Sequence, residues 1–345
     1  MERNLLLDVT KCVAILFVIL SHSIQFGSGL PEKEVLNLPI ECFFISFFMP
    51  LFAMVSGYLF YHSLQRHDER TIIFKRLGQF LWPIVTMAIL HNARPYLIHL
   101  DFVGFVCNFP KALFNSLWFF WAILVCTILM CIVHKWLGDS WWGHVLIIIF
   151  TLLLPDIYPL RAYVYLLPYF IVAYNYAKYQ KKDSFLCVGG AYPVYTKLLG
   201  LLLLGILFFS ILSHFSKEDM IYFSRYSLLG SVNLLEDIYR DLFRFFIGVV
   251  GSIMIILLLS IILQLKLLHG QLLSKIKDIG SNTFGLYVFQ DFMLLLLVPF
   301  LRKMSTGNLV VSSLLSFIVL YIGATLLLYV SKKNKILSLI FLGKK

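Results

Sequence analysis

The chain has 345 residues, of which 60% are hydrophobic and only 14% are charged, and its formal net charge is +11. Soluble domains have about a quarter of their residues charged, so this composition excludes an ordinary soluble enzyme. The Lys and Arg residues lie in short breaks between apolar stretches and not in one basic tract, which argues against nucleic-acid binding. The composition therefore predicts an integral membrane protein whose surroundings are a lipid bilayer.

Apolar stretches long enough to cross a membrane, roughly 20 residues each, recur along the whole chain. The candidate spans are 5–26, 43–62, 80–99, 113–133, 143–158, 162–179, 198–214, 243–265, 283–301 and 309–330. The fifth is the weakest because Pro155, Asp156 and Pro159 interrupt it. Backbone in lipid must satisfy its own hydrogen bonds, and the stretches lack the alternation of barrel strands. The sequence thus predicts an all-α, polytopic transmembrane helix bundle of about ten spans, forming a single integral-membrane domain over 1–345.

The distribution of positive charge predicts the orientation of the bundle. With ten spans both termini face the same side, and that side receives nineteen of the 29 Lys and Arg residues. These are Arg3, Lys11, Arg66, Arg70, Lys75, Arg76, Lys135, Lys178, Lys181, Lys182, Lys197, Lys266, Lys275, Lys277, Lys332, Lys333, Lys335, Lys344 and Lys345. Acidic residues such as Glu32, Glu34 and Glu41 fall on the opposite side. Because Lys and Arg are in excess in cytoplasmic loops, both termini are predicted to be cytoplasmic, and the longest break, 215–242, is predicted to be a partly helical cap outside.

Several classes of site lack support in the sequence. The six cysteines are scattered without a CxxC pair, and we expect them to be packing residues. Neither a Walker loop, nor an HExxH motif, nor a nucleophile elbow is present. We therefore expect no metal and no bound cofactor. The first apolar stretch has a polar interruption at Ser21, His22 and Ser23 and is followed by further spans, so we expect it to stay attached rather than act as a cleaved signal peptide.

The first span carries the best candidates for chemistry, because ionisable groups inside a span are costly. Lys11 and His22 are eleven residues apart, so they share one helical face to within about 20°, separated by a rise of about 16 Å. Asp8 and Gln25 fall on the same face. A neutral imidazole can take a proton from an attacking hydroxyl or attack an acyl carbonyl itself, and a cation can hold an anionic group. The helical wheel is equally consistent with a buried His22 satisfied by a neighbouring helix and with Lys11 as an interfacial anchor.

These residues carry a resemblance to a known family. Residues 3–29 resemble the first helix of the membrane acyltransferase-3 family of bacterial sugar O-acyltransferases (fucose 4-O-acetylase-like), whose signature is Arg or Lys, ten residues, then His. The segment FFMPLFAMVSGYLF, residues 47–60, is similar to the family's next signature, Met-Pro-Leu-Phe followed by Ser-Gly and an aromatic residue. The matching positions are Lys11, His22, Met49, Pro50, Ser56 and Gly57.

The resemblance continues through KRLGQFLWP (75–83), SLWFFWAIL (116–124) and SNTFGLYVFQ (281–290), and so spans nearly the whole chain. Two positions depart from the family pattern. Gln79 replaces the second Arg of an Arg-x-x-Arg loop, which weakens Arg76 as half of a paired clamp. Gln290 stands where the late helix commonly has a His, which removes one candidate second histidine.

The resemblance implies a multi-pass enzyme of the inner (cytoplasmic) membrane that transfers an acyl group, expected to be acetyl, onto a sugar hydroxyl. Acetyl-CoA or another acyl-CoA is the implied donor substrate, and a cell-surface polysaccharide or lipid-linked sugar is the implied acceptor. His22 would act as general base or as acyl carrier, and Lys11, nearer the cytoplasmic end of the same helix, would also take part in catalysis. Lys75 and Arg76 would bind the donor phosphates, helped by Lys178, Lys181 and Lys182. The residues assigned to substrate binding or structure are Asp8, Gln25, Ser56, Gly57 and Trp118.

An alternative from another class is a transporter or flippase for lipid-linked sugars with no acyl-transfer activity, since polar stripes inside bundles also line transport paths. Two further groups are interpreted as structural. Asp291 in the ninth span is expected to pair with Arg94, with Arg302 or with a backbone group. His91, Asn92 and Arg94 are expected to anchor the third span in preference to lining an acceptor cavity.

Overall fold

The computed structural model describes residues 4–99, 101–180, 185–188, 192–303 and 307–344, without the side chains of residues 32, 94, 95, 97–99 and 303. Arg3, Lys181, Lys182, Lys345 and the side chain of Arg94 lie outside this description. The helices, in chain order, are α1 (Leu5–Gly27), α2 (Glu32–Val35), α3 (Pro39–Leu64), α4 (Glu69–His99), α5 (Phe102–Asn115), α6 (Trp118–Trp136), α7 (Trp141–Leu152), α8 (Leu160–Tyr165), α9 (Leu167–Tyr179), α10 (Val194–Leu212), α11 (Leu234–Gln264), α12 (Gly270–Ser281), α13 (Thr283–Lys303), α14 (Leu309–Lys333) and α15 (Lys335–Leu342). The described residues form no strand, and the predicted all-α class is confirmed.

Eight of these helices are long and apolar enough to cross a membrane. They are α1, α3, α4, α6, α10, α11, α13 and α14. Each matches one predicted span, and α1 and α14 agree with the predicted bounds to within three residues. The chain is therefore a multi-pass membrane protein.

The two remaining predicted spans, 143–158 and 162–179, take a different form. Helix α7 has 12 residues, which at about 1.5 Å per residue is shorter than the roughly 30 Å hydrocarbon core. The sixth predicted span is divided into α8 and α9, which meet at Leu166 ahead of Pro168. The total of ten spans and the cytoplasmic termini stay predictions. The number of spans is even whether α7 and α8–α9 are both counted as spans or both left out.

Four short helices were not predicted: α2, α5, α12 and α15. None of the residues of α5 is buried, and Phe102 and Val103 are exposed apolar side chains, as expected for a helix lying against the bilayer interface. Two spanning helices begin well before the predicted spans. Helix α4 begins at Glu69 instead of residue 80, and α11 begins at Leu234 instead of residue 243.

Helix α1 lies inside the bundle, packed against α3, α11, α12, α13 and α14. Small residues permit the closest approaches. A Cβ on Gly57 of α3 would lie 2.1 Å from the carbonyl oxygen of Phe170 in α9, and a Cβ on Gly280 of α12 would lie 2.0 Å from the carbonyl oxygen of Asp8. These glycines let helix backbones touch, as is usual in membrane bundles.

The cysteines are all free within the described chain. Cys12, Cys42, Cys126 and Cys131 are buried, in agreement with the packing role expected for them. Cys107 is exposed on α5, so packing does not account for that position.

Candidate functional site

A cavity of about 370 Å³ contains the candidate histidine, and we call it the outer cavity after the predicted topology. Its lining residues are His22, Gln25, Leu36, Ile45, Phe48, Met49, Trp118, Tyr158, Tyr222, Phe223 and Tyr287. Aromatic rings and hydrogen-bonding groups dominate this lining, and none of its described residues carries a carboxylate. Such a surface suits a neutral ligand with both polar and apolar faces.

A second cavity of about 220 Å³ lies further towards the predicted cytoplasmic side, and we call it the inner cavity. Its lining residues are Lys11, Val18, Met49, Phe52, Val55, Ser56, Leu59, Arg76, Gln79, Phe80, Phe119, Phe120, Ile123, Thr283, Phe284 and Tyr287. The charged groups in it are Lys11 and Arg76, both cations. The inner cavity is thus suited to an anionic ligand.

The two cations of the inner cavity differ in their partners. Lys11 Nζ lies 2.8 Å from Asp8 Oδ1, one turn earlier on α1. Arg76 packs its guanidinium over the Phe80 ring, 5.6 Å from the centroid, and no carboxylate among the described side chains pairs with it. Within the described part of the chain, Arg76 therefore carries the positive charge of this cavity that no carboxylate balances.

His22 in α1 is held by α13. Its Nδ1 atom lies 2.9 Å from Oε1 of Gln290, which is 1% exposed. An amide oxygen can only accept a hydrogen bond, so Nδ1 carries the proton and donates it. The other ring nitrogen, Nε2, is then the one with a free lone pair, which is the form a base or nucleophile needs.

Gln25 is also oriented by neighbours. Its Nε2 donates to Ser21 Oγ at 3.1 Å and lies 3.5 Å from Oε2 of Glu41, which in turn accepts from Ser21 Oγ at 2.8 Å. Glu41 is completely buried at the start of α3. The placement of Glu41 with Glu32 and Glu34 on the side opposite the termini stays a prediction, and the structure adds that Ser21 and Gln25 of α1 provide partners that permit its burial.

The segment 215–233 covers the outer cavity and brings Tyr222 into it. Helix α11 provides the anchor, because Arg244 is 1% exposed and donates to the carbonyl oxygens of Asp219 and Arg225, each at 2.6 Å. Arg161 donates to the Tyr222 carbonyl oxygen at 2.9 Å. Burial raises the pKa of the Tyr222 phenol, so the hydroxyl stays protonated and can donate to a ligand oxygen. The predicted cap is partly helical, with a 3₁₀ turn at Lys217–Asp219 and the first turns of α11.

Trp118 enters the outer cavity at the first residue of α6. Its ring meets Tyr222 edge-to-face, with centroids 6.0 Å apart. The preceding residue, Leu117, is buried and has a φ of 47°, a left-handed conformation that is costly for a residue with a branched side chain. Strain of this kind concentrates at functional sites, where surrounding structure enforces it.

The remaining candidates are distributed as follows. Ser56 lines the inner cavity and not the surroundings of His22. Gly57 packs against α9, so of the two roles assigned to it, substrate binding or structure, close helix packing accounts for this glycine. Lys75 is exposed and does not line the inner cavity, although its neighbour Arg76 does. Lys178 pairs with Asp139 at 2.7 Å.

The polar residues of the third predicted span form structural contacts. His91 Nε2 lies 2.9 Å from Asp291 Oδ2, and Asn92 Nδ2 donates to the Phe105 carbonyl oxygen at 2.7 Å. Neither residue lines the outer cavity. Of the partners expected for Asp291, Arg302 is exposed and the side chain of Arg94 lies outside the described residues, while the structure shows His91 of the adjacent α4 as a partner.

The sequence reasoning missed Gln290, Glu41, Tyr222 and Arg244 as site residues. Only Gln290 gave a signal, as a departure from the family pattern at a position inside an apolar span. The partners of the other three come from distant segments. Within the described residues no group of three or more His, Cys, Asp or Glu side chains is arranged to hold a metal ion.

Comparison with known proteins places the chain in a family. The model of an acyltransferase domain, Acyl_transf_3, matches residues 4–332. The chain therefore belongs to the acyltransferase-3 family, as the resemblance of its motifs implied. It is also similar to the nodulation protein NolL of Sinorhizobium fredii (strain NBRC 101917 / NGR234), with 26% identity over 183 residues, which is 51% of this chain and 50% of that protein. The chain thus matches about half the length of this curated relative. No solved structure matches it significantly.

Proposed function

We propose that this protein is a membrane-bound O-acyltransferase that moves an acyl group, acetyl in the first instance, from acyl-CoA to a hydroxyl of a cell-envelope carbohydrate. One observation carries the proposal: a single face of α1 presents the cation Lys11 to the inner cavity and His22 to the outer cavity. A donor with phosphates at one end and a thioester at the other fits this arrangement. Family membership agrees with the reaction class.

The inner cavity supports the choice of donor. Arg76 and Lys11 offer guanidinium and ammonium groups to an anion, and Gln79 adds an amide beside them. Coenzyme A is too large for about 220 Å³, so its nucleotide would remain at the mouth while the pantetheine arm enters. Acyl-CoA is made in the cytoplasm, which supports a location in the inner membrane with this cavity facing inward.

The outer cavity supports the choice of acceptor. Trp118, Tyr158 and Tyr222 supply ring faces and edges for the C–H surfaces of a sugar, while the Gln25 amide and the Tyr222 hydroxyl supply hydrogen bonds. Gln25 uses its NH₂ group on Ser21, which leaves its amide oxygen to accept from a sugar hydroxyl.

In direct transfer, Nε2 of His22 takes the proton from the acceptor hydroxyl as the oxygen attacks the thioester carbonyl. The C–S bond then breaks, and the CoA thiolate leaves and is reprotonated by the imidazolium. In the second mechanism Nε2 itself attacks the carbonyl and the C–S bond breaks, giving a cationic acyl-histidine and a CoA thiolate that takes up a proton from water. The acceptor hydroxyl then attacks the acyl carbonyl, the bond to Nε2 breaks, and the hydroxyl proton is released to water, which restores the neutral imidazole. Both mechanisms need the same imidazole tautomer, with the proton on Nδ1.

The test is acyl transfer by purified protein in lipid vesicles, using acetyl-CoA labelled in the acetyl group and a mixed glycan acceptor from bacterial envelopes. We expect label in the glycan as an alkali-labile ester. In a second reaction without acceptor, free CoA labelled in its CoA moiety is mixed with unlabelled acetyl-CoA, and appearance of that label in acetyl-CoA would identify the acyl-histidine route. Movement of lipid-linked sugar across the vesicle membrane, with no label transferred, would instead support the flippase alternative.

A further inference from the structure

Two side chains separate the inner cavity from the outer cavity. Met49 of α3 and Tyr287 of α13 line both cavities, and among the residues that the structure describes no other is common to the two linings. Both side chains are almost completely buried, with 5% of Met49 and 8% of Tyr287 exposed. They therefore form a thin apolar wall, which we call the partition.

The partition lies between the groups that the reaction must bring together. Lys11 and Arg76 are on one side of it and His22 is on the other. If the proposed function holds, on which this inference rests, the thioester arrives on the cationic side and must meet an imidazole on the aromatic side. The acyl group, as the end of the donor, has to enter the space between Met49 and Tyr287.

The two residues of the partition differ in mobility. The Tyr287 ring is packed against Phe119 and Phe120, with centroids 5.9 and 5.1 Å away, so it is a fixed wall. Met49 has an unbranched, flexible side chain that adapts to irregular spaces. The next residue, Pro50, lies inside α3 and lacks the N–H that would complete the helix at this point. Met49 is thus the side of the partition that can move.

We propose that Met49 sets the size of the acyl group that the enzyme accepts. An acetyl group needs a small displacement of the Met49 side chain, whereas each further methylene must be fitted between that side chain and the Tyr287 ring. Discrimination by one methylene in an apolar pocket is typically about 10- to 200-fold. Shortening residue 49 removes this limit, and enlarging it closes the passage.

The experiment compares acetyl-, butyryl- and hexanoyl-CoA as donors for wild type, Met49→Ala, Met49→Phe and a matched control. Met54→Ala is the control, because Met54 is on the same helix, is 7% exposed, and lines a different apolar cavity away from the partition. We expect wild type and Met54→Ala to favour acetyl over butyryl by at least about tenfold in kcat/KM, Met49→Ala to reduce that ratio at least about tenfold, and Met49→Phe to transfer acetyl poorly.

The outcomes separate this inference from the proposed function. A wild-type protein that transfers none of the three acyl groups refutes the function and the size limit together. A Met49→Ala protein that transfers acetyl with an unchanged acetyl-to-butyryl ratio refutes the size limit alone.

A second measurement tests the partition without any turnover. With Cys107 and Cys187 replaced by Ser, single cysteines are introduced as Ser56→Cys in the inner cavity and Gln25→Cys in the outer cavity. A small membrane-impermeant methanethiosulfonate reagent should modify each from one side of the membrane only, and from opposite sides. Adding Met49→Ala should expose Ser56→Cys to both sides. Modification from both sides with Met49 intact would show that the partition does not separate the cavities.

Discussion

Nδ1 of His22 and Oε1 of Gln290 lie 2.9 Å apart, although 268 residues separate them in the chain. The hydrogen bond joins α1 to α13 at the wall of the outer cavity. It fixes the imidazole in one orientation and one tautomer, with Nε2 available for proton transfer or attack. Predictions about the reaction follow most directly from this pair.

His22→Ala and His22→Gln should abolish most acyl transfer while leaving the protein in the membrane. Loss of a positioned general base typically costs about 10²- to 10⁴-fold in rate, whereas removal of one partly buried side chain costs on the order of 1–3 kcal/mol of stability. Labelled acetyl transfer per mole of membrane-inserted protein is the measurement. Ser23→Ala serves as control, because Ser23 bonds only the Ile19 carbonyl oxygen of its own helix. Transfer above about a tenth of the wild-type rate in either His22 variant would make His22 structural.

Gln290 is a positioning residue, and its replacements should separate kcat from KM. Gln290→Met keeps the length of the side chain but cannot accept from Nδ1, so kcat should fall about 10- to 100-fold, as expected for one lost hydrogen bond of roughly 1–3 kcal/mol. KM for donor and acceptor should change little. Gln290→Glu retains an acceptor oxygen and should recover most of the rate. Equal losses in the two variants, or a change confined to KM, would contradict the role.

Arg76 and Lys75 are adjacent in sequence, but Arg76 lines the inner cavity and Lys75 is exposed, so variants of the two residues form a matched pair. Arg76→Gln removes the inner-cavity cation that has no carboxylate partner among the described side chains, so KM for acyl-CoA should rise roughly tenfold, corresponding to about 1.4 kcal/mol, with the acceptor KM unchanged. Lys75→Gln should have an effect of less than about threefold, because this side chain is exposed. Initial rates over a range of acyl-CoA concentrations give the KM of each variant. A larger effect at Lys75 than at Arg76 would mean that the donor binds at the surface.

Arg244 should control the segment that covers the outer cavity. Arg244→Met leaves the carbonyl oxygens of Asp219 and Arg225 and the Asp241 carboxylate without their partner, a loss of about 3–5 kcal/mol in local stability. We expect faster proteolysis within 215–233 and a higher acceptor KM, because Tyr222 is released. Arg240→Gln removes a more exposed cation that pairs with Glu236 and should change stability by less than about 1 kcal/mol. Unchanged proteolysis in Arg244→Met would refute the anchoring role.

Gly57→Ala should destabilise the bundle. The added methyl group would lie 2.1 Å from a backbone oxygen that cannot turn away, so α3 and α9 must separate, at a cost of about 1–3 kcal/mol. Gly78→Ala is the contrasting variant, because a Cβ at this position meets nothing within 4 Å. The higher helix propensity of Ala should leave the stability of the protein unchanged or raise it by up to about 1 kcal/mol. Thermal unfolding in a mild detergent measures both. Equal unfolding temperatures for the two variants would contradict the close packing of α3 on α9.

The sequence predicted most of the spanning helices because apolar length is a local property. It failed where hydropathy is interrupted or the helix is short, as with α5, α12, α15 and the divided span at Leu166. These helices depend on packing against the bundle or the interface, and the hydropathy of a sequence window does not report such packing. The periodicity of α1 also placed Asp8, Lys11, His22 and Gln25 on one face. In the structure Lys11 lines the inner cavity, His22 and Gln25 line the outer cavity, and Asp8 contacts Lys11.

The partners of the site residues could not be predicted in the same way. Glu41 precedes an apolar span, and by composition it belongs with Glu32 and Glu34 in the loop. Its burial depends on Ser21 and Gln25 of another helix. Gln290 is distinguished by its proximity to His22, which is a property of the folded bundle and not of the local sequence.

The placement of α1 against α12, α13 and α14 has a consequence for biogenesis. During synthesis His22 leaves the ribosome long before Gln290, and at about 5–20 residues per second the 268 residues between them take on the order of 10–50 s. For that interval the polar face of α1 lacks the helices that bury it in the finished bundle. Nascent chains that end before α13 should therefore be substrates for membrane chaperones and quality-control proteases, and the hydrogen bond that fixes the tautomer of His22 forms only in the last stage of membrane insertion.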